Sequence, residues 1–182
     1  MSKTALLIID LQNDYFPGGK MELVGAAEAG ENARRLLERF RSEGMPVIHI
    51  QHESVHEGAS FFLPGSEGME IHDCVRPVEG EKVILKHFAN SFLQTGLESF
   101  LREQGVWALV VAGMMVQNCV DSTVRAAKEL GFAVTLVHDA CACPDLEFEG
   151  EMIPAGMVRK SFMASLGYAF ARVVDVRTYL AG

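Results

Sequence analysis

The chain predicts an α/β fold of three layers, a six-stranded, mainly parallel sheet flanked by helices in a Rossmann-like arrangement. Three observations carry that reading. The short apolar runs are continuous rather than alternating, as in strands that helices cover on both faces. Stretches with apolar residues at 3–4-residue spacing separate those runs, and such alternation builds right-handed βαβ units. No repeat, low-complexity tract or linker interrupts the pattern, so the 182 residues are read as one domain, 1–182.

Ala5-Leu6-Leu7-Ile8-Ile9 is the first strand. Ala26, Ala29, Ala33, Leu36, Leu37 and Phe40 mark one face of a helix, and Gly44 stands at its C-cap. Pro46 introduces the second strand, Val47 to Ile50. The stretch from Glu53 to Glu81 is polar, carries Gly and Pro, and lacks sustained periodicity. It is too long for a plain connection and reads as a functional loop with short elements. Val83-Ile84-Leu85 is the third strand. Thr95 followed by Glu98 is a capping-box pattern opening a helix through Leu97, Phe100 and Leu101 to Gly105. Trp107 to Ala112 forms the fourth strand. Val120, Val124, Ala127 and Leu130 mark a helix closed by Gly131, and Phe132 to Val137 is the fifth strand. A loop rich in Cys, Pro and acid follows, with Pro144 to Pro154 read as solvated. It leads to a helix carrying Ile153, Met157 and Phe162, and Arg172 to Val176 is the sixth strand.

Composition narrows the function. Lys and Arg total 16 against 24 Asp and Glu, a net charge of −8, with no basic cluster dense enough to grip a phosphate backbone. Nucleic acid is therefore not an expected partner. The longest apolar run, Val106 to Val116, is eleven residues and falls short of a membrane span, so no membrane partner is expected either. Only five apolar residues, Ala5 to Ile9, precede Asp10, too few for the hydrophobic region of a signal peptide. The expectation is a cytoplasmic protein whose four cysteines, Cys74, Cys119, Cys141 and Cys143, are reduced thiols.

In parallel sheets, ligands sit beyond the carboxyl ends of the strands, where strand order reverses. That rule selects Asp10 after the first strand, Lys86 after the third, and Gly113-Met114-Met115-Val116-Gln117-Asn118-Cys119 after the fourth. A carboxylate accepts a thiol proton, an ammonium stabilises a thiolate, and a thiolate is a strong nucleophile at neutral pH. Cys119 also falls at the start of a helix, whose partial positive charge is expected to lower the thiol pKa. Each residue has a plainer reading: Asp10 as a turn cap, Lys86 as a surface charge, Cys119 as a small buried hydrophobe. Their arrival at neighbouring strand ends favours chemistry. A nucleotide-binding domain would want a Gly-rich loop after the first strand, where Asp10-Leu11-Gln12-Asn13-Asp14 offers carboxylates instead. A non-catalytic thiol sensor would need no matched Asp and Lys.

Three segments carry a family resemblance. They are Leu7-Ile8-Ile9-Asp10-Leu11-Gln12-Asn13-Asp14-Tyr15-Phe16, then Val83-Ile84-Leu85-Lys86 with Ser91-Phe92, then Val111 to Met115 through Cys119-Val120-Asp121-Ser122-Thr123-Val124-Arg125-Ala126-Ala127. The chain resembles the isochorismatase-like superfamily of cysteine hydrolases, which includes nicotinamidases and N-carbamoylsarcosine amidohydrolases. The resemblance implies the isochorismatase-like hydrolase fold and a catalytic triad of Asp10, Lys86 and Cys119. It also implies an oxyanion hole from the backbone N–H groups of Met115 and Cys119, and a cis peptide at Met114–Met115. The implied activity is hydrolysis of a C–N bond in a small-molecule amide through a thioester, with no cofactor, in a homodimer or homotetramer. Relatives that cleave a vinyl ether lack the cysteine; ether or ester cleavage stays the alternative. Nicotinamidases hold a metal through an Asp-x-His pair and a further His, which His49-Ile50-Gln51-His52-Glu53-Ser54 does not reproduce, so no metal is expected. Members with this loop often carry Thr where this chain has Val116. Phe16, Gln51, His87 and Phe92 flank the triad segments and are read as substrate-pocket residues, with core packing the competing role for the two phenylalanines.

Overall fold

A computed structural model describes residues 3–182. The strands are β1 (Lys3–Ile9), β2 (Val47–His52), β3 (Lys82–Lys86), β4 (Val106–Met114), β5 (Ala133–Ala142), β6 (Leu146–Phe148), β7 (Glu151–Ile153) and β8 (Arg172–Val174). The helices are α1 (Ala26–Ser42), α2 (Leu97–Glu103), α3 (Asp121–Glu129), α4 (Ala155–Ala169) and α5 (Val176–Ala181). Six strands form one sheet in the order β3-β2-β1-β4-β5-β8, and every pairing in it is parallel. No helix among the described residues is long and apolar enough to cross a membrane.

The sheet is covered on both faces, which is why β1 reads as an unbroken apolar run. Leu6 and Ile8 pack with Ala33, Leu36, Leu37 and Phe40 of α1 on one face. Leu7 and Ile9 pack with Leu101 of α2, Val124 of α3 and Leu166 of α4 on the other. Each such Leu or Ile, fully buried, contributes about 1.5–3 kcal/mol. The chain runs outward from β1 through β2 to β3, then returns to lay β4 on the other side of β1. The strand order therefore reverses between β1 and β4, and a crevice opens at their carboxyl ends. Ile9 pairs with Gly113 at that point, and a Cβ on Gly113 would lie 2.3 Å from the Ile9 carbonyl oxygen. Only glycine allows β4 to approach so closely at this φ of 150°.

Four local expectations are corrected. The α2 cap is Gly96, at a φ of 71°, not Thr95, because glycine enters the left-handed region without a Cβ clash. Thr95 lies one residue earlier, where its Oγ1 accepts the Leu97 N–H at 3.3 Å. The fifth strand continues past Val137 to Ala142 through the polar pair His138-Asp139. The pairing jumps from Val111–Leu136 to Gly113–Cys141, so a bulge on β5 absorbs the extra length. Pro144 to Pro154 is largely solvent-exposed as expected but is not a plain loop, since β6 and β7 pair antiparallel across it and place Ile153 in a strand rather than in α4. Glu149 and Gly150, both at positive φ, make the two-residue turn whose twist suits a hairpin. The sixth strand ends at Val174, and the Asp175 carboxylate then caps α5 by accepting the Thr178 N–H.

Candidate active site

Asp10 follows β1, Lys86 ends β3, and Cys119 lies in a π-type turn, Val116–Val120, between β4 and α3. The fold brings these three sequence-distant side chains together at the reversal point. Lys86 Nζ lies 2.7 Å from Asp10 Oδ2 and 3.2 Å from Cys119 Sγ. His52, the cross-strand neighbour of Lys86 in the β2–β3 register, adds a third contact, Nδ1 to Nζ at 3.0 Å. All three predicted residues are buried, at 0% exposure for Asp10, 1% for Lys86 and 3% for Cys119.

Strain and register aim the groups. Asp10 takes a φ of 52°, uncommon for a residue with a Cβ, while its N–H donates to the Ile50 carbonyl at 3.0 Å. The Met114–Met115 peptide is cis, and the Met115 carbonyl accepts the N–H groups of Asn118 and Val120, both at 3.1 Å. Those bonds hold the turn that carries Cys119.

The isochorismatase domain matches residues 4–163 of this sequence. The chain belongs to the isochorismatase family. An isochorismatase family protein of Bacillus subtilis (strain 168), YddQ, is 49% identical over 177 residues, 97% of this chain and 98% of its own. Maleamate amidohydrolase of Pseudomonas putida is 30% identical over 151 residues, 75% of this chain and 71% of its own. The crystal structure of an isochorismatase from Pseudomonas putida superposes with a TM-score of 0.90 at 37% identity, covering 96% of this chain and 89% of that one.

The electrostatics of this isochorismatase-family hydrolase follow from burial first. Burial raises the Asp10 pKa, and the neighbouring Lys86 only partly opposes it, so the carboxylate is a stronger base than one in water. Burial works to lower the Lys86 pKa, but Asp10 and Cys119 outweigh it and hold the side chain as an ammonium. For Cys119, burial and the Asp10 charge push the thiol up against the pull of Lys86. The expected lowering by a helix N-terminus is thus corrected: Cys119 sits ahead of α3 within the π-type turn, and burial is the largest influence on its thiol. Asp10 Oδ2 faces Lys86 Nζ at 2.7 Å while Oδ1 has no partner, so the carboxylate is open to accept a proton.

Asp10, His52 and Cys119 place donor atoms within 4.8 Å of one another, a set that would suit a metal ion. Lys86 Nζ already touches all three, so a cation occupies the point where they converge.

The pocket residues fare unevenly. Phe16 stacks on His72 with ring centroids 3.6 Å apart. Together with Gln51 it lines a groove of about 1080 Å³ whose lining contains none of Asp10, Lys86 or Cys119. Gln51 and His52 are successive on a strand and project to opposite faces, which sends Gln51 away from the triad. His87 follows Lys86 and is turned out by the same alternation, its Nδ1 3.1 Å from the Glu53 carbonyl. Phe92 packs against the core and stacks on Phe132 at 5.9 Å.

The sequence reading passed over several residues at the site. Tyr15, Phe61 and Phe62 form an aromatic cluster with centroids 4.5–5.8 Å apart. Burial, with the charges of Cys119, Asp10 and Asp14, pushes the Tyr15 phenol well up. Asp14 fastens the Glu53 to Glu81 loop by accepting the Phe62 N–H at 2.7 Å, and Gln12 donates to the carbonyls of His52 and Met69 at 2.8 and 2.7 Å. The available signal was the polar run Gln12-Asn13-Asp14 directly after a buried strand.

Proposed function

We propose that this isochorismatase-family protein is a cysteine amidohydrolase acting on a small amide or a related substrate. The observation that carries the reading is the buried contact of one ammonium with both a carboxylate and a thiol. Asp10 takes the Cys119 proton, and Lys86 holds the thiolate as it forms. The sulfur attacks the carbonyl carbon, and the backbone N–H groups of Met115 and Cys119 receive the oxyanion. As the intermediate collapses, the C–N bond breaks and the proton on Asp10 passes to the departing nitrogen, which leaves as ammonia or an amine. Water, deprotonated by Asp10, then attacks the thioester, and the recovered proton returns to the Cys119 sulfur. Every proton and electron pair comes from these side chains, the substrate or water, so the reaction as written requires no cofactor.

The naming of relatives as maleamate amidohydrolase and nicotinamidase supports C–N cleavage. The same reading takes the enzyme as cytoplasmic, with a small-molecule substrate and a homodimeric or homotetrameric assembly. The test is ammonia release across a panel of small amides and ureas, with intact-mass detection of a thioester on Cys119. Cys119→Ala and Asp10→Ala are expected to abolish turnover. Turnover that survives Cys119→Ala would overturn the mechanism.

A further inference from the structure

Building on the nucleophile assigned above to Cys119, we propose that His52 is a positioning residue, which takes the third N–H of the Lys86 ammonium and so keeps the other two on Asp10 and Cys119. An ammonium has three N–H donors and no acceptor. Lys86 Nζ has three acceptors around it: Asp10 Oδ2 at 2.7 Å, His52 Nδ1 at 3.0 Å and Cys119 Sγ at 3.2 Å. Without His52, one donor of a side chain only 1% exposed would have no partner. The ammonium would also be free to turn about its last carbon–nitrogen bond, taking a donor off the sulfur.

The chemistry of the third acceptor matters. A carboxylate there would divide the Lys86 charge between two anions and weaken the field felt by the thiolate. A neutral imidazole holds the ammonium without cancelling it. Burial lowers the His52 pKa to about 3, assisted by the neighbouring Lys86 ammonium, so the ring stays neutral at physiological pH. Acceptance at Nδ1 requires the tautomer with its proton on Nε2.

The backbone of His52 is held in place. Gln12, itself 0% exposed, donates from Nε2 to the His52 carbonyl at 2.8 Å and accepts the His52 N–H on Oε1 at 2.8 Å. That clamp fixes the end of β2 against the segment that follows β1. It also gives a chemical role to Gln12 in the segment that follows β1.

The test reads the reactivity of Cys119 and needs no known substrate. Alkylation by iodoacetamide is followed by peptide mass spectrometry from pH 5 to 10 for the wild type, His52→Asn, His52→Gln and His52→Phe. Asn places an oxygen where Nδ1 stands, Gln places one a bond too far, and Phe keeps the ring without an acceptor. Phe and Gln are expected to slow Cys119 alkylation about 10- to 100-fold, the range for a lost hydrogen bond to a charged group, and to move its pH profile upward. Asn is expected to stay close to the wild type. A purely structural role predicts the reverse order, with Phe best tolerated.

The inference is overturned if Phe reacts like the wild type or if Asn fails as Phe does. A wild-type Cys119 no more reactive than the buried Cys141 removes the nucleophile and this inference together, whereas a reactive Cys119 indifferent to His52 removes the inference alone. Should the variants fail to fold, nitrogen-15 NMR of histidine in the wild type decides. An acceptor-type Nδ1 with a protonated Nε2 from pH 5 to 8 supports the assignment, and an Nδ1–H or an imidazolium overturns it.

Discussion

Replacing Lys86 by Met tests whether the buried ion pair is as consequential as its geometry demands. Asp10 and Lys86 are 2.7 Å apart with both side chains at 0% exposure. Removing the ammonium leaves a fully buried carboxylate with no cation beside it. One-sided loss of a buried pair costs about 3–5 kcal/mol, a large share of the roughly 5–15 kcal/mol that holds a typical domain. The pH dependence has a definite sign. Burial already raises Asp10 above its usual 3.8, and without Lys86 nothing substantial opposes that rise. A carboxyl group with a raised folded pKa binds more protons folded than unfolded. The variant is therefore most stable at the acid end and loses stability as pH climbs through the folded pKa, so its deficit widens from pH 5 to pH 8. Urea unfolding at both pH values measures this for the wild type, Lys86→Met, Asp10→Asn and the double variant. The double variant should recover most of the lost stability, because a neutral amide replaces the stranded charge, yet it should remain inactive. A Lys86→Met deficit below about 1 kcal/mol, the size of an ordinary substitution, would refute the reasoning, as would a double variant no more stable than Lys86→Met.

Three other perturbations follow from the same geometry. Gly113→Ala would place a Cβ 2.3 Å from the Ile9 carbonyl oxygen, and a loss of about 3 kcal/mol should appear as roughly 6–12 °C in Tm by calorimetry. Burial works to raise the Glu81 pKa, but Arg41, with contacts at 2.7 and 2.8 Å, and His49, at 2.8 Å, hold it at about 2. A depressed folded pKa gives stability that is present above the usual 4.5 and lost as pH falls toward 2. Glu81→Gln should accordingly cost about 2 kcal/mol at pH 7, discounted for the solvent that reaches Arg41, and little near pH 2, by urea midpoints. Asp14→Ala frees the Phe62 and Lys20 N–H groups and should cost about 2–4 kcal/mol. Hydrogen exchange between residues 53 and 81 should quicken, and unchanged exchange there would count against Asp14 as the fastening.

Much of the fold is legible because local chemistry decides it. Ala5 to Ile9 is continuous and apolar, and that pattern reports two covered faces wherever it stands in a chain. The strand-end rule then selects Asp10, Lys86 and the stretch to Cys119 without any distance being known. The α2 start was misread because Thr95 and Glu98 satisfy a local pattern that a neighbouring glycine satisfies at lower cost. The β6–β7 hairpin is not legible because its acidic residues are solvent-exposed, like those of a loop, and the pairing that orders them lies between two segments.

What the sequence by itself determined is the order of strands and helices and the residue types delivered to one edge of the sheet. The tertiary structure alone decided what those residues touch. The β2–β3 register sets His52 beside Lys86, and the alternation of strand side chains sends Gln51 to a separate groove. The acidity of Cys119 was likewise out of reach. Its position before a helix argues for a lowered pKa, while the burial and the neighbouring carboxylate that raise it exist only once distant segments pack. Covalent order is a local property and can be read residue by residue. Desolvation and charge proximity depend on everything within a few ångströms, and most of that comes from elsewhere in the chain.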